Sequence, residues 1–521
     1  MSSSNDSVHR QRWLILFVLC FSLLVIVLDN TILNVAIPTI VRELDASNSQ
    51  LQWMVDSYVL VFAGLLLTAG SLGDRFGRRR ALQVGFVLFG IGSVASAMSG
   101  TANELIATRA FMGIGAAFIM PATLSIITNV FPANERGRAI GVWAGTAGVA
   151  VALGPLTGGF LVEHFYWGSI FLVNVPIVLF GLVCGVVLIP ESKDPSAPRL
   201  DLVGAALSIA GLTALLYGII EAPELGWTSA RIVGAFALAV LLAVAFVAWE
   251  LRVAQPMLPM RFFRNPRFTV ASLSITFVFF AMFGSIFLLT QYFQFVLGYS
   301  PLSAGVRLLP FAATMIVVAP SSAFAVKRFG TKRVVATGLA IVGLALVSIS
   351  GLEATSSYAD IVWRLAFMAL GMALTMAPAT DSIMGSLPLA QAGVGSAVND
   401  TVRQVGGALG VAIIGTVVSS IYTDRIGSVL AGTAVPEEAQ EAARSSLGGA
   451  LGVADQARNL GIPGSEELVV RANEAFVAAM QVGVRVGAAV ALVGCVAAAL
   501  WLPARPRAED VADQDAEFAA R

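Results

Sequence analysis

The sequence predicts an all-α polytopic membrane protein of fourteen transmembrane helices, and three observations predict it. Hydrophobic residues fill 57% of the 521 positions and charged residues 12%. A soluble globular chain carries roughly 45–50% and about 25%. The shift excludes an ordinary soluble enzyme, a disordered chain and a nucleic-acid binder. The apolar residues also come in runs near the ~20 residues that cross a hydrocarbon core as a helix. No long apolar–polar alternation of the kind a membrane barrel shows is present. Finally, basic residues collect in alternate short loops, the one between spans 12 and 13 excepted, as the positive-inside rule leads one to expect of a helical bundle.

The runs fall at about 14–38, 51–72, 81–98, 103–128, 138–162 and 168–190, then at about 201–220, 230–252, 268–291, 302–325, 334–352, 360–384, 396–422 and 476–502. The first follows Arg10 and Arg12 and resembles a signal peptide, but Asp29 inside it and the lack of a small-x-small site argue against cleavage. Spans 2 and 3 are joined by Arg75, Arg78, Arg79 and Arg80, spans 4 and 5 by Arg136 and Arg138, and spans 6 and 7 by Lys193 and Arg199. Spans 8 and 9 are joined by Arg252, Arg261, Arg264 and Arg267, and spans 10 and 11 by Lys327, Arg328, Lys332 and Arg333. The tail adds Arg505, Arg507 and Arg521, whereas the opposite short loops hold little beyond Arg42 and Arg231. Both termini are therefore expected on the cytoplasmic side of the cytoplasmic membrane. One long outer segment, about 424–475, reads as a surface-lying helical hairpin. Cys20, Cys184 and Cys495 lie singly in apolar runs, so neither a disulfide nor a metal site is expected.

An internal repeat organises the spans. Asp74-Arg-Phe-Gly-Arg-Arg-Arg80 aligns with Lys327-Arg-Phe-Gly-Thr-Lys-Arg333, eight spans later. An even offset makes the two units parallel, as in carriers built of two six-helix halves. The two surplus spans then sit between the halves. The expected units are a six-helix half over 1–192, two inserted helices with their linker over 193–265, a second half over 266–503 and a tail over 504–521.

Four further motifs carry a resemblance. Gly70-Ser-Leu-Gly-Asp74-Arg75-Phe-Gly77-Arg78-Arg79-Arg80 resembles the loop 2–3 signature of the major facilitator superfamily. Gly148-Val-Ala-Val-Ala-Leu-Gly154-Pro155-Leu-Thr-Gly158-Gly159 resembles the antiporter signature of its drug exporters. Leu28-Asp29-Asn-Thr31-Ile-Leu-Asn34-Val-Ala36-Ile-Pro38 is similar to the first-span signature of the fourteen-span drug:proton antiporters. Arg109-Ala-Phe-Met112-Gly113-Ile-Gly115-Ala-Ala resembles a fourth-span motif in which Met112 replaces the usual Gln. The likeness covers essentially the whole chain, Asn399-Asp400-Thr-Val-Arg403-Gln404-Val-Gly-Gly407 of span 13 included. It implies the major facilitator fold and a proton-driven exporter of amphipathic or cationic molecules. Export of lipids or of an endogenous lipophilic metabolite is the alternative, and proton-coupled uptake is disfavoured by the span 5 signature.

The residues themselves narrow the site. An ionisable group inside a span costs ~2.5–3.5 kcal/mol on insertion scales and by default marks function. Asp29 is such a group, and a carboxyl whose charge depends on the side it faces suits proton coupling. The bland alternative is a structural acid satisfied by Asn30, Thr31 or Asn34. Arg109 needs an acid or a carbonyl cage, with Asp29 or Asp56 as partner. The resemblance implies a part in proton transfer, and a structural clamp is the alternative. Asp56 beside Trp53 and Tyr58 suits a lipophilic cation by charge and cation–π contact, although Trp and Tyr also anchor at interfaces. Asp56 and Asp381 are further candidates for proton coupling; for Asp381, after Pro378, the alternative is a polar group at a helix break. Phe287, Gln291 and Met384 complete the expected substrate contacts, and Asp400, Arg403 and Gln404 the charged patch of span 13.

Asp74 in its basic turn cannot reach substrate. It is expected to accept hydrogen bonds from a helix N-terminus, which the resemblance places at span 13, near Ser396. With Gly70, Arg75, Gly77 and Arg78 it would form a conformational latch. Gly148, Gly154, Gly158 and Gly159 allow close helix approach, and Pro155 permits a bend. Only His9 and His164 are histidines, and no G-x-x-x-x-G-K-[ST] loop occurs. These counts speak against an enzyme and against ATP drive. The expected chain is a monomer in the lipid bilayer that uses no cofactor and is driven by protons.

Overall fold

The computed structural model describes residues 2–44, 46, 48–195, 200–431, 436–460, 462 and 464–505. Arg199, Arg507 and Arg521 lie outside them, as do the tail beyond residue 505 and the side chains of Arg10, Asn34, Arg42 and Pro155. Fourteen long helices follow one another: α1 Ser2–Leu44, α2 Asn48–Phe76, α3 Arg78–Ala97, α4 Ala102–Val130, α5 Ala133–His164, α6 Asn174–Leu188 and α7 Leu202–Leu225. The series continues with α8 Ala230–Glu250, α9 Pro266–Gln291, α10 Leu309–Phe329, α11 Thr331–Ile349, α12 Tyr358–Met384, α13 Ala392–Leu430 and α14 Ser465–Trp501. Thirteen of them contain a stretch long and apolar enough to cross a membrane. The remaining one, α5, is 32 residues long.

Local chemistry sets the ends. Asp201 and Ser229 cap α7 and α8 by accepting from the backbone N–H three residues on, and Ser357 with Asp360 closes a capping box at α12. The α2–α3 and α10–α11 turns share one device. Gly77 and Gly330 take φ of 120° and 82°, where a side chain is strained. The two copies of the sequence repeat thus make the same corner, and the end of the bundle that carries them is here called the basic end.

Boundaries differ from the sequence reading where polarity misleads. Helix α13 runs to Leu430 and α14 begins at Ser465, so both project well beyond their apolar cores. Backbone hydrogen bonding continues a helix past the hydrocarbon as long as no Pro or Gly stops it. The expected outer hairpin shrinks to the short helices Glu437–Ser445 and Leu447–Asn459. Span 10 opens as a separate helix, Pro301–Arg307, because Pro310 at the start of α10 lacks a backbone donor.

Helices α1–α6 and α9–α14 pack as two halves that meet through α2 and α4 on α13 and through α5 on α10 and α12. Glycine makes both main crossings possible. A side-chain carbon on Gly70 of α2 would stand 2.5 Å from the Gly393 carbonyl of α13. One on Gly141 of α5 would stand 2.5 Å from the Ala319 carbonyl of α10. The inserted helix α7 packs against both α2 and α13, as well as against α8. Helix α8 leaves Val240, Leu241 and Val244 exposed, the apolar face a helix turns to lipid.

Candidate functional site

The deepest charges lie within the first half. Asp29 on α1 and Arg109 on α4 are both fully buried, and Nη1 of Arg109 donates to Oδ2 of Asp29. Nε of Arg109 donates to the Met54 carbonyl at 3.2 Å, and the guanidinium lies 4.4 Å from the centre of the Tyr58 ring. Asn174 on α6 donates to Oδ1 of Asp29 at 2.8 Å and lies 3.1 Å from the Ser93 hydroxyl on α3. Five helices therefore converge on one carboxylate. Of the two partners considered for Arg109, the geometry selects Asp29, and Asp56 takes no part.

Tyr58 corrects one expectation. Residues two apart on a helix point in nearly opposite directions, so Tyr58 faces Arg109 while Asp56 and Trp53, three apart, share the other side and remain half-buried. The grouping of all three around one cation is not formed.

A second patch lies where the halves meet. Asp400 and Arg403 on α13 are buried, with Nη1 of Arg403 3.6 Å from Oδ1 of Asp400. Asn399 bonds Asp400 at 3.3 Å and accepts from Thr380 of α12 at 3.0 Å. The Arg403 guanidinium sits 5.0 Å from the ring centres of Trp143 on α5 and Phe279 on α9. Because Trp143 belongs to the other half, this cation–π contact bridges the two halves. Gln404 is half-buried on the next position.

At the basic end Asp74 accepts from the N–H groups of Gly393 and Val394 at 2.9 and 3.0 Å. These are the free donors of the first turn of α13. Arg78 donates to Asp74 at 2.8 Å and to the carbonyls of Leu389 and Ala390 at 2.7 and 2.9 Å. Arg75 lies over Phe76 instead, 5.2 Å from its ring centre. The strand of chain after α6 braces this corner, with Arg78 N–H to the Ser192 carbonyl at 2.9 Å and Asp194 N–H to the Asp74 carbonyl at 2.7 Å. Glu191 accepts from Arg79 N–H at 3.1 Å. Sequence reasoning missed Glu191 and Asp194, because Glu191 meets the turn from 112 positions away and Asp194 does so through its backbone N–H.

Asp381 and Met384 belong to this end too, which corrects their expected places. Asp381 pairs with Arg136 of α5 at 3.0 Å, so its charge is satisfied across the halves and not by a helix break. Met384 is buried beside Gly395. It lies far along the bundle from Gln291 at the opposite end of α9, while Phe287 is 43% exposed near Gly415. The structure therefore does not gather Phe287, Gln291 and Met384 into one pocket. In α5, Gly148 faces Met315 of α10 and Gly154 faces Thr31 of α1, whose hydroxyl an added carbon would collide with. Gly158 is buried, and Gly159 faces Leu302.

Two helical halves around a charged interface, with buried ionisable groups inside the spans, define a multi-pass membrane carrier. Residues 19–411 match the family model described as Major Facilitator Superfamily. The chain is 33% identical over 512 residues to the tetracenomycin C resistance and export protein of Streptomyces glaucescens, covering 96% of this chain and 94% of that one. It is 37% identical over 452 residues to the multidrug efflux pump LfrA of Mycolicibacterium smegmatis, covering 87% and 89%. Its fold is similar to that of the proton:xylose symporter XylE, with TM-score 0.60 at 15% identity over 96% and 97% of the two chains. The chain belongs to the major facilitator superfamily.

Proposed function

We propose that the chain exports amphipathic or cationic small molecules across the cytoplasmic membrane in exchange for protons, by alternating access. The observation that carries this is the buried Asp29–Arg109 pair, a carboxylate inside a span whose charge is balanced by one guanidinium and one side-chain amide. Protonation of Asp29 would remove its charge and free Arg109 to shift toward the Tyr58 ring, which couples proton occupancy to the packing of α1 on α4. The family and the named relatives support drug efflux. The arginines of the basic end support a cytoplasmic location for it. With that end held by Asp74 and by Arg136–Asp381, the arrangement fits a state closed toward the cytoplasm.

The test is transport in proteoliposomes with an imposed pH gradient and a lipophilic cation. Wild type moves the cation against an equal movement of protons, and Asp29→Asn binds it without gradient-driven transport. Full transport by Asp29→Asn, or cation movement without proton movement in wild type, would refute the reading.

A further inference from the structure

We propose that Asp56 on α2 and Glu221 on the inserted helix α7 form a two-carboxylate site for a lipophilic dication at the mouth opposite the basic end. Glu221 is then a specificity-determining residue supplied by the inserted pair. The proposal rests on the transport reading above and names the substrate charge that one part of the route selects.

Packing register brings the two acids together. Helix α2 ends at the basic end and α7 begins there, so the two run antiparallel. They touch at Gly64, where an added carbon would stand 2.9 Å from the Thr213 hydroxyl and 3.8 Å from the Ile209 carbonyl. Asp56 and Glu221 each lie eight residues from that contact toward the opposite mouth, Asp56 before Gly64 and Glu221 after Thr213. At 1.5 Å per residue both stand ~12 Å along, and eight residues return to the same broad helix face. Glu221 and Glu224 lie within electrostatic reach of Asp56.

Among the described residues Asp56 has a hydrogen-bond partner in the uncharged Gln52 and no cation as a partner. Glu221 is 9% exposed, and among the described residues no ion pair reaches Asp56, Glu221 or Glu224. This contrasts with Asp29, Asp74, Asp381 and Asp400, each of which has an arginine. Like charges within electrostatic reach of each other are relieved by a proton or by an external counter-charge, and it is the second that a cationic ligand supplies. A dication answers both acids, whereas a monocation leaves one unpaired. Trp53, one turn before Asp56 and half-buried, adds an indole face for the same ligand. The Trp227 Nε1–Thr416 hydroxyl bond at 3.0 Å holds the end of α7 to α13, so the helix that carries Glu221 is tied to both α2 and α13.

The experiment is binding of methyl viologen, a dication, and of tetraphenylphosphonium, a monocation, to the purified full chain in detergent. Glu221→Gln should raise the methyl viologen Kd about fivefold or more relative to the tetraphenylphosphonium Kd, and Glu221→Asp should restore the ratio. An unchanged ratio in Glu221→Gln overturns the proposal, whether both Kd values move together or neither moves. Wild type that binds neither cation overturns it as well. If the charge-dependent ratio holds but a pH gradient drives no transport in liposomes, the transport reading fails while the site stands.

Discussion

The Asp29 carboxylate receives donors from a guanidinium on α4 and an amide on α6, and neither has another acid to turn to. Breaking a buried pair from one side leaves an uncompensated charge, which costs about 3–5 kcal/mol. Arg109→Ala is therefore expected to lower the melting temperature in detergent sharply, and Asp29→Asn, which leaves the buried guanidinium without its counter-charge, should lower it as well. Asn174→Ala removes one donor to Asp29 and should cost about 1–3 kcal/mol, read in the same thermal melts. Asp29 and Arg109 were legible because a charge stands out in an apolar run. Asn174 was not, since a single uncharged amide in the run 168–190 barely lowers its hydropathy. Tyr58 was legible as a functional candidate but assigned to the wrong face, because adjacency in sequence was read where helical geometry decides.

Glycine sets how closely the helices approach. Gly154→Ala forces its new carbon into Thr31, so this variant should express and melt poorly. Adding Thr31→Gly removes the obstructing side chain and should recover part of the loss, a coupling that a double-mutant cycle measures. Gly77→Ala combines a positive φ with a carbon 2.5 Å from the Glu191 carboxylate. It should cost at least about 1–2 kcal/mol for the left-handed backbone alone. The existence and order of the fourteen helices could be read from apolar runs, and the corner glycines from the repeat. The ends of α13 and α14 could not, because hydropathy marks the membrane and says little about where backbone hydrogen bonding stops.

Across the whole molecule, two ties join the halves at the basic end. Asp74 with Arg78 holds α13, and Arg136 with Asp381 joins α5 to α12. A cysteine introduced by Ala397→Cys, buried beside Gly70, reports on both. Its labelling by a membrane-impermeant thiol reagent added on the side of the basic end should rise in Asp74→Asn and rise further when Arg136→Ala is added. Equal labelling in all three would show that neither tie holds the end shut. The first tie was foreseeable from its motif. The second joins residues 245 positions apart, a separation at which no local pattern pairs one arginine with one acid. The same view gives α7 a mechanical meaning. Its root follows the segment 192–194, stapled to the α2–α3 corner in the first half. Its tip is fastened to α13 in the second half through Trp227. If the halves rock as in the proposed cycle, a bar joined to both must tilt with them, and α8 beside it exposes Val240, Leu241 and Val244. In that cycle bilayer thickness would act as a load on the bar, and acyl-chain length as a handle on turnover.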